Sequence, residues 1–236
     1  MEVHHHPHVE KKSLKEYLLE GLMIFLAVSM GFVAENIREK ISEHEIEKRN
    51  IEIIVDNLKE DTDRLTKIIN HSSQRILLLD SIVTFQHHLM KDRNEIKKFA
   101  SLFLRSSRIN LFITNKAAFE QMKSSGSLRL IKSKKVLDSL FKYTYDNDRI
   151  EFNSAYISEN SNLIVEDAVG FLNFHDVIDG NSAIEIKQTP GDMFKFYNHC
   201  IALKVRIASN NNLLLSQKEN AVRLINLLRE EYDLEK

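Results

Sequence analysis

The densest run of chemically capable side chains is at the start of the chain, where His4, His5, His6 and His8 surround Pro7. Neutral imidazole is a good ligand for zinc, copper and nickel, so this leader is where a metal would be expected; no other cofactor is. A fixed metal site also needs its ligands held in one geometry by outer hydrogen bonds, which a short tail does not supply. Cys200 beside His199 invites a thiolate–imidazole reading, but neighbours on a helix project about 100° apart and do not face each other. Cys200 therefore reads as a buried structural cysteine. The pairs His87-His88 and His175-Asp176 meet the same objection, and Glu43, Glu45 and Glu47, like Asp61 and Asp63, read as solvated helix faces. Lys123, Arg129, Lys132, Lys134 and Lys135 cluster around SSGSLRLI and could hold lipid headgroups or an acidic partner; the plainer reading is a loop with ordinary lysines. No aromatics interleave with these cations, which argues against nucleic acid. A glycine-rich phosphate loop, HExxH, a paired-cysteine motif and a nucleophile elbow are all missing, so no enzyme is expected.

The elements that would position these groups are organised around residues 17–35. Within Tyr17–Ala34 the only charge is Glu20, and eighteen residues at the helical rise span roughly 27 Å, close to the hydrocarbon core of a bilayer. This is expected to be one transmembrane helix, with Glu20 reaching up to the headgroups. The competing readings are a cleaved signal peptide, against which the apolar run continues past Ala27-Val28-Ser29, and a buried core helix. Ala27 and Gly31 lie one turn apart and would let two anchors approach closely.

The run HHHPHVEKKSLKEYLLEGLMIFLAVSMGFVAENIREKISE resembles the start of a family of uncharacterised single-pass bacterial membrane proteins. Its marks are a His-rich leader, an EYLLE-x-LMIFLAV anchor and an AEN-x-RE exit. The likeness covers about the first forty-five residues and returns, more weakly, at FEQMKSSGSLRLI; Gly21 stands where a bulkier apolar residue is expected. The resemblance implies a membrane location and a helical domain. It brings no activity, catalytic residue or cofactor.

Composition bounds the rest. The chain has 236 residues, 43% of them hydrophobic, which is enough for a core outside a membrane, while six glycines and two prolines are too few for a fold of many short strands. The net charge of −1 gives no global field for nucleic acid, and one cysteine leaves no intrachain disulfide. Three lysines before the span, Lys11, Lys12 and Lys15, stand against Arg38, Lys40, Lys48 and Arg49 after it. That balance is even, and the closeness of the lysines to the span tilts the expectation toward a cytoplasmic N-terminus.

From Glu35 to Met90 there is no glycine or proline, and Ile51, Val55, Leu58, Thr62, Leu65, Ile69, Ser72, Ile76, Leu79 and Val83 recur near every 3.5 residues, the pattern of a coiled-coil or bundle rod. Ile54, Ile68, Leu78 and Ile82 widen the stripe, which favours a multi-helix bundle over a bare two-stranded coil, and Asn70–Ser73 is a polar patch at which this rod could bend or break. Ile96, Phe99, Ala100 and Phe103 mark a helix face; INLFIT at 109–114 suits a short strand or extended linker; Thr114 is placed to cap the next helix, and Gly126 to end it. Ser133 caps a second long helix to about Leu172, with Leu137, Leu140, Phe141, Ile150, Ile157, Ile164 and Ala168 at helical spacing. Residues 183–187 alternate like an edge strand. After Pro190 a last long helix carries Phe194, Tyr197, Ile201, Leu215, Leu224, Ile225 and Leu228, with a kink expected near Asn210–Asn212.

The sequence thus predicts an all-α protein: an N-terminal tail (1–16), a transmembrane helix (17–35), a long helical rod (36–90) and a region of antiparallel long helices (91–236) that forms one bundle with the rod. The function expected is a non-enzymatic, membrane-anchored interaction or scaffold subunit of a complex in the bacterial inner membrane. Its partners would be the bilayer and another protein or a second copy, met through anchor and rod. The alternative is a membrane-anchored sensor or metal-handling protein that uses the His-rich leader or a cleft in the bundle.

Overall fold

The computed structural model describes residues 13–85, 93–173 and 190–234. The protein is all-α. Five helices carry the described residues: α1 (Leu14–Thr84), α2 (Arg93–Ser106), α3 (Ala117–Ser125), α4 (Lys134–Val169) and α5 (Pro190–Glu231), with a 3₁₀ turn at Ser127–Leu130. The chain divides into two compact units, Met1–Arg49 and Asn50–Lys236.

In the first unit, α1 begins at Leu14 and carries one stretch long and apolar enough to cross a membrane, with mean hydropathy 1.9 over eighteen residues and none of that stretch buried. From Leu14 to Ser42 every residue but the half-buried Ser29 is exposed.

The second unit is built on a seven-residue repeat. On α1 the inward positions run Ile51, Ile54, Leu58, Asp61, Leu65, Ile68, Ser72, Arg75, Leu79 and Ile82, alternating steps of three and four. On α4 they run Val136, Leu140, Tyr143, Asn147, Ile150, Ser154, Ile157, Ser161, Ile164 and Ala168, all buried. On α5 they run Phe196, Cys200, Leu203, Ile207, Asn210, Leu214, Gln217, Ala221, Leu224 and Leu228. These three helices, with the same 3–4 spacing, contribute side chains to the same apolar clusters. The expected rod register matches at Ile51, Leu58, Leu65, Ser72 and Leu79. Of the alternate positions Val55 is buried as expected, and Ile54, Ile68 and Ile82, expected to widen the stripe, lie on the seam itself; what the spacing does not give is Asp61 in place of Thr62 and Arg75 in place of Ile76.

Cross-links between helices set their directions. Tyr143 and Ser161 of α4 meet Asp61 and Arg75 of α1 in the same order, so α4 runs parallel to α1. Asn211 and Lys204 of α5 meet Ser73 and Asp80 in reverse order, so α5 is antiparallel to α1; it is antiparallel to α4 as well, where Gln217 meets Asn147 and His199 meets Asp167. The antiparallel expectation therefore holds for α5 but not for the α1–α4 pair. The reason is that α2, the segment 107–116 and α3 carry the chain back along the bundle before α4 starts. α2 buries Ile96, Phe99, Ala100 and Phe103, the face its spacing predicts.

Of the two readings of 109–114 the linker holds, since the segment forms no strand, and Asn70–Ser73 and Asn210–Asn212 leave their helices unbroken. Ser73 bonds back to the Ile69 carbonyl at 2.8 Å, and Asn211 Nδ2 donates to Ser73 Oγ at 3.2 Å. Gly126 ends α3 in the left-handed region with φ 74°, and Ser133 Oγ accepts from the Val136 N–H at 3.4 Å, both as expected. Thr114 is not a cap, since Lys116 precedes α3. The 183–187 strand expectation lies outside the described residues.

Candidate functional site

Three sets of polar residues interrupt the apolar seam or line its surface. The first is centred on Asp61, whose side chain is almost wholly buried. It accepts from Thr114 Oγ1 at 2.6 Å, Tyr143 OH at 3.0 Å and the Asn115 N–H at 3.3 Å. Asn147 Nδ2 donates to Thr114 Oγ1 at 3.0 Å, and Gln217 Nε2 donates to Asn147 Oδ1 at 2.7 Å and to the Tyr143 carbonyl at 2.9 Å. One carboxylate thus ties α1 to the 107–116 segment and α4, and through Asn147 to α5. Burial first, and then the charge of Asp61, pushes the Tyr143 phenol well up, so it stays a donor. The adjoining hollow, about 30 Å³, has room for one water and not for a ligand.

The second set surrounds Arg75. Its Nε donates to the Ser106 carbonyl at 2.6 Å and its Nη2 to Ser161 Oγ at 2.7 Å. Burial pulls its guanidinium down to about 10. Burial, followed by the charges of Arg75 and Arg108, lowers the nearby His71. On the far side of the seam, Asp167 lies 2.5 Å from His199 Nδ1 and 2.9 Å from Lys195 Nζ. The imidazole therefore turns toward a carboxylate and not toward its neighbour Cys200. Cys200 is fully buried, and burial, with the Asp167 charge behind it, pushes the thiol up to about 12. It is a protonated core thiol, as expected from the sequence, and lacks the thiolate character of a nucleophile.

The third set is a groove of about 560 Å³ between the start of α4 and the end of α5. Lys135, Ser139 and Lys142 form one edge, and Asn220, Arg223, Asn226 and Glu230 the other, over a floor of Tyr143, Leu224 and Leu227. Arg223 Nη2 donates to Asn220 Oδ1 at 2.6 Å, and its Nη1 lies 3.8 Å from Glu219. Lys135 and Lys142 have no ion-pair partner among the described residues. A smaller polar hollow of about 130 Å³, lined by Asn153, Tyr156, Arg206, Ser209 and Asn210, has the dimensions of a few waters.

Of the residues singled out from sequence, Lys123, Arg129, Lys132, Lys134 and Lys135 are all exposed, and only Lys135 lines this groove. Its companions Lys142 and Arg223 were not anticipated; on the α4 side, the i, i+7 spacing from Lys135 to Lys142 was the available signal. Ala27 and Gly31 lie on the exposed surface of α1, and a Cβ at Gly31 would meet nothing within 4 Å. Glu47 and Asp61 are buried, which corrects their reading as solvated carboxylates: hydrophobic periodicity cannot foresee a charge in a seam. His4, His5, His6 and His8, His87-His88 and His175-Asp176 lie outside the described residues, among which no group of three potential ligands could hold a metal. No family model matches the chain, and no curated protein or solved structure matches it.

Proposed function

We propose that the protein is a non-enzymatic, single-pass membrane protein whose helical bundle is an interaction module in a bacterial inner-membrane complex. One observation carries this reading: the first unit leaves a continuous run of apolar side chains bare, while the second unit covers a core of its own. Phe25 and Phe32 are 66% and 74% exposed, whereas Phe99 and Phe196 are fully covered. A soluble fold does not leave a run of this length facing water, and a bilayer is the solvent that fits it. The resemblance of the leader and anchor to a family of single-pass bacterial proteins supports the same membrane placement, and the lysines close to the span favour an N-terminus in the cytoplasm.

Support for the interaction role comes from the outer face of α5. Phe194, Ile201, Ala208, Leu215 and Val222 recur every seven residues on its exposed side, with Val205 between them. Phe194, Ile201 and Leu215, three of the apolar positions that mark this helix in the sequence, belong to this second column and not to the core. Single exposed apolar residues are ordinary, but a heptad column of five is what another helix reads. The partner is therefore a helix with its own heptad, from another chain or a second copy.

The test is fractionation of cells that express the full chain, followed by carbonate extraction and gentle detergent purification with in-cell crosslinking. The expected result is a carbonate-resistant pellet and a crosslinked partner that is lost on Leu215→Lys with Val222→Lys. A chain in the soluble fraction would end the membrane reading; a lone monomer under every extraction condition would end the interaction reading.

A further inference from the structure

The groove between α4 and α5 combines a cationic rim with an apolar floor. Its rim carries Lys135, Lys142 and Arg223, with Glu230 in the lining and Glu219 3.8 Å from Arg223, and its floor is Tyr143, Leu224 and Leu227. Cations over an apolar floor match a ligand with an anionic head and an apolar tail. Asn226 adds a neutral amide donor that suits a phosphate oxygen, while the Ser139 hydroxyl is engaged with the Lys135 carbonyl and Asn220 Nδ2 with Asp146. At about 560 Å³ the groove falls within the range of small-molecule sites.

Leu224 and Tyr143 belong to the same apolar cluster as Ile51, Ile54 and Leu58, so the groove lies at the Ile51 end of the bundle. We propose that this groove binds a phosphate group joined to an apolar tail, the chemistry of an anionic phospholipid. Taking that phosphate from the bilayer rests on the membrane reading above; the alternative source of the same headgroup chemistry is a soluble phosphate ester.

The experiment uses the full chain in neutral detergent and native mass spectrometry with titrated phosphatidylglycerol, phosphatidylcholine and glycerol 3-phosphate. The variants are Lys142→Gln with Arg223→Gln and, as a control for general surface charge, Lys132→Gln with Lys134→Gln. Each cation near a headgroup is expected to contribute about fivefold, so the groove pair should lose roughly 25-fold in phosphatidylglycerol affinity while the control pair keeps it. All four positions are at the surface, and unchanged melting confirms that each variant folds. Equal loss in the two pairs would overturn the groove as the phosphate site, and equal binding of phosphatidylcholine, whose choline cancels the phosphate charge, would overturn its selection of an anionic lipid. Glycerol 3-phosphate binding as tightly as the lipid would overturn the role of the apolar floor and assign the site to a soluble ester. Detergent removes the need for an anchor, so the groove can hold while carbonate extraction fails, or the reverse; the two readings fall separately.

Discussion

Replacing Asp61 by Ala tests whether the bundle depends on its buried carboxylate. Thr114, Tyr143 and the Asn115 N–H all donate to Asp61, and the side chain is 1% exposed. Removal leaves three donors without an acceptor, at about 1–3 kcal/mol each when buried. The adjoining hollow of about 30 Å³ can admit one water, which restores part of that loss. The expected destabilisation is about 3–5 kcal/mol, in line with other buried charged groups that lose a partner. For a unit of this size it corresponds to a Tm lower by roughly 6–20 °C. Asp61→Asn keeps the shape and an acceptor and should lose about 1–2 kcal/mol; Tyr143→Phe, which removes one donor, should lose a similar amount. The assay is thermal and urea unfolding of the full chain in neutral detergent, followed by circular dichroism and by the appearance of reactive Cys200. A double-mutant cycle between Asp61→Ala and Tyr143→Phe should give a coupling of about 1.5–3 kcal/mol. If Asp61→Ala costs less than about 1 kcal/mol, or the coupling is near zero, the network does not hold the bundle together and the argument fails.

Other expectations are more local. Gly126 sits at φ 74° with open space around its Cβ position, so Gly126→Ala should cost about 1–2 kcal/mol from backbone conformation alone, and Gly126→Asn less; equal stability of all three would refute the left-handed cap. Burial, and then the charges of Arg75 and Arg108, lowers His71, so its folded pKa lies below the unfolded value near 6.5. The unfolded chain then takes up its proton first, and stability should fall as pH drops below about 6.5. His71→Gln should flatten that acid-side slope, and an NMR titration of His71 with a midpoint above 6.5 would reverse the sign. Cys200, buried and pushed up to about 12, should resist maleimide at pH 8 in the folded chain and react fully once unfolded; native labelling at the rate of a free thiol would place it at the surface.

Much of the fold was legible because a single period runs through it. Ile51, Leu58, Leu65 and Leu79 announce the seam of α1, the α2 face reads directly from Ile96 to Phe103, and Gly126 and Ser133 mark ends whose backbone chemistry is local. The errors lie where tertiary contacts outweigh local rules. Thr114 has the right residue type and position for a cap, yet its hydroxyl goes to Asp61, which is far away in sequence and offers a charged acceptor. Arg75 was passed over for Ile76 because the hydrophobic pattern reads a guanidinium as outward-facing. The groove was invisible for a different reason: Lys142 and Arg223 come together only because α5 returns alongside α4, and that pairing depends on the direction of the chain and not on any motif.

The repeat that builds the bundle also poses a problem of alignment. Helices with the same seven-residue spacing can slide past one another by one heptad and still set apolar side chains against apolar side chains. A slide of α1 by seven residues would carry Asp61 to the level now held by Ile54 or Ile68, and Arg75 to that of Ile68 or Ile82, away from Tyr143, Thr114, Ser106 and Ser161. Each displaced charge would then be buried without its partners, which makes the shifted alignment much the poorer one. Asp61 and Arg75 stand fourteen residues apart, two repeats, so they act as two index marks on the same rod. Apolar layers alone would allow several alignments; with both marks matched, one remains.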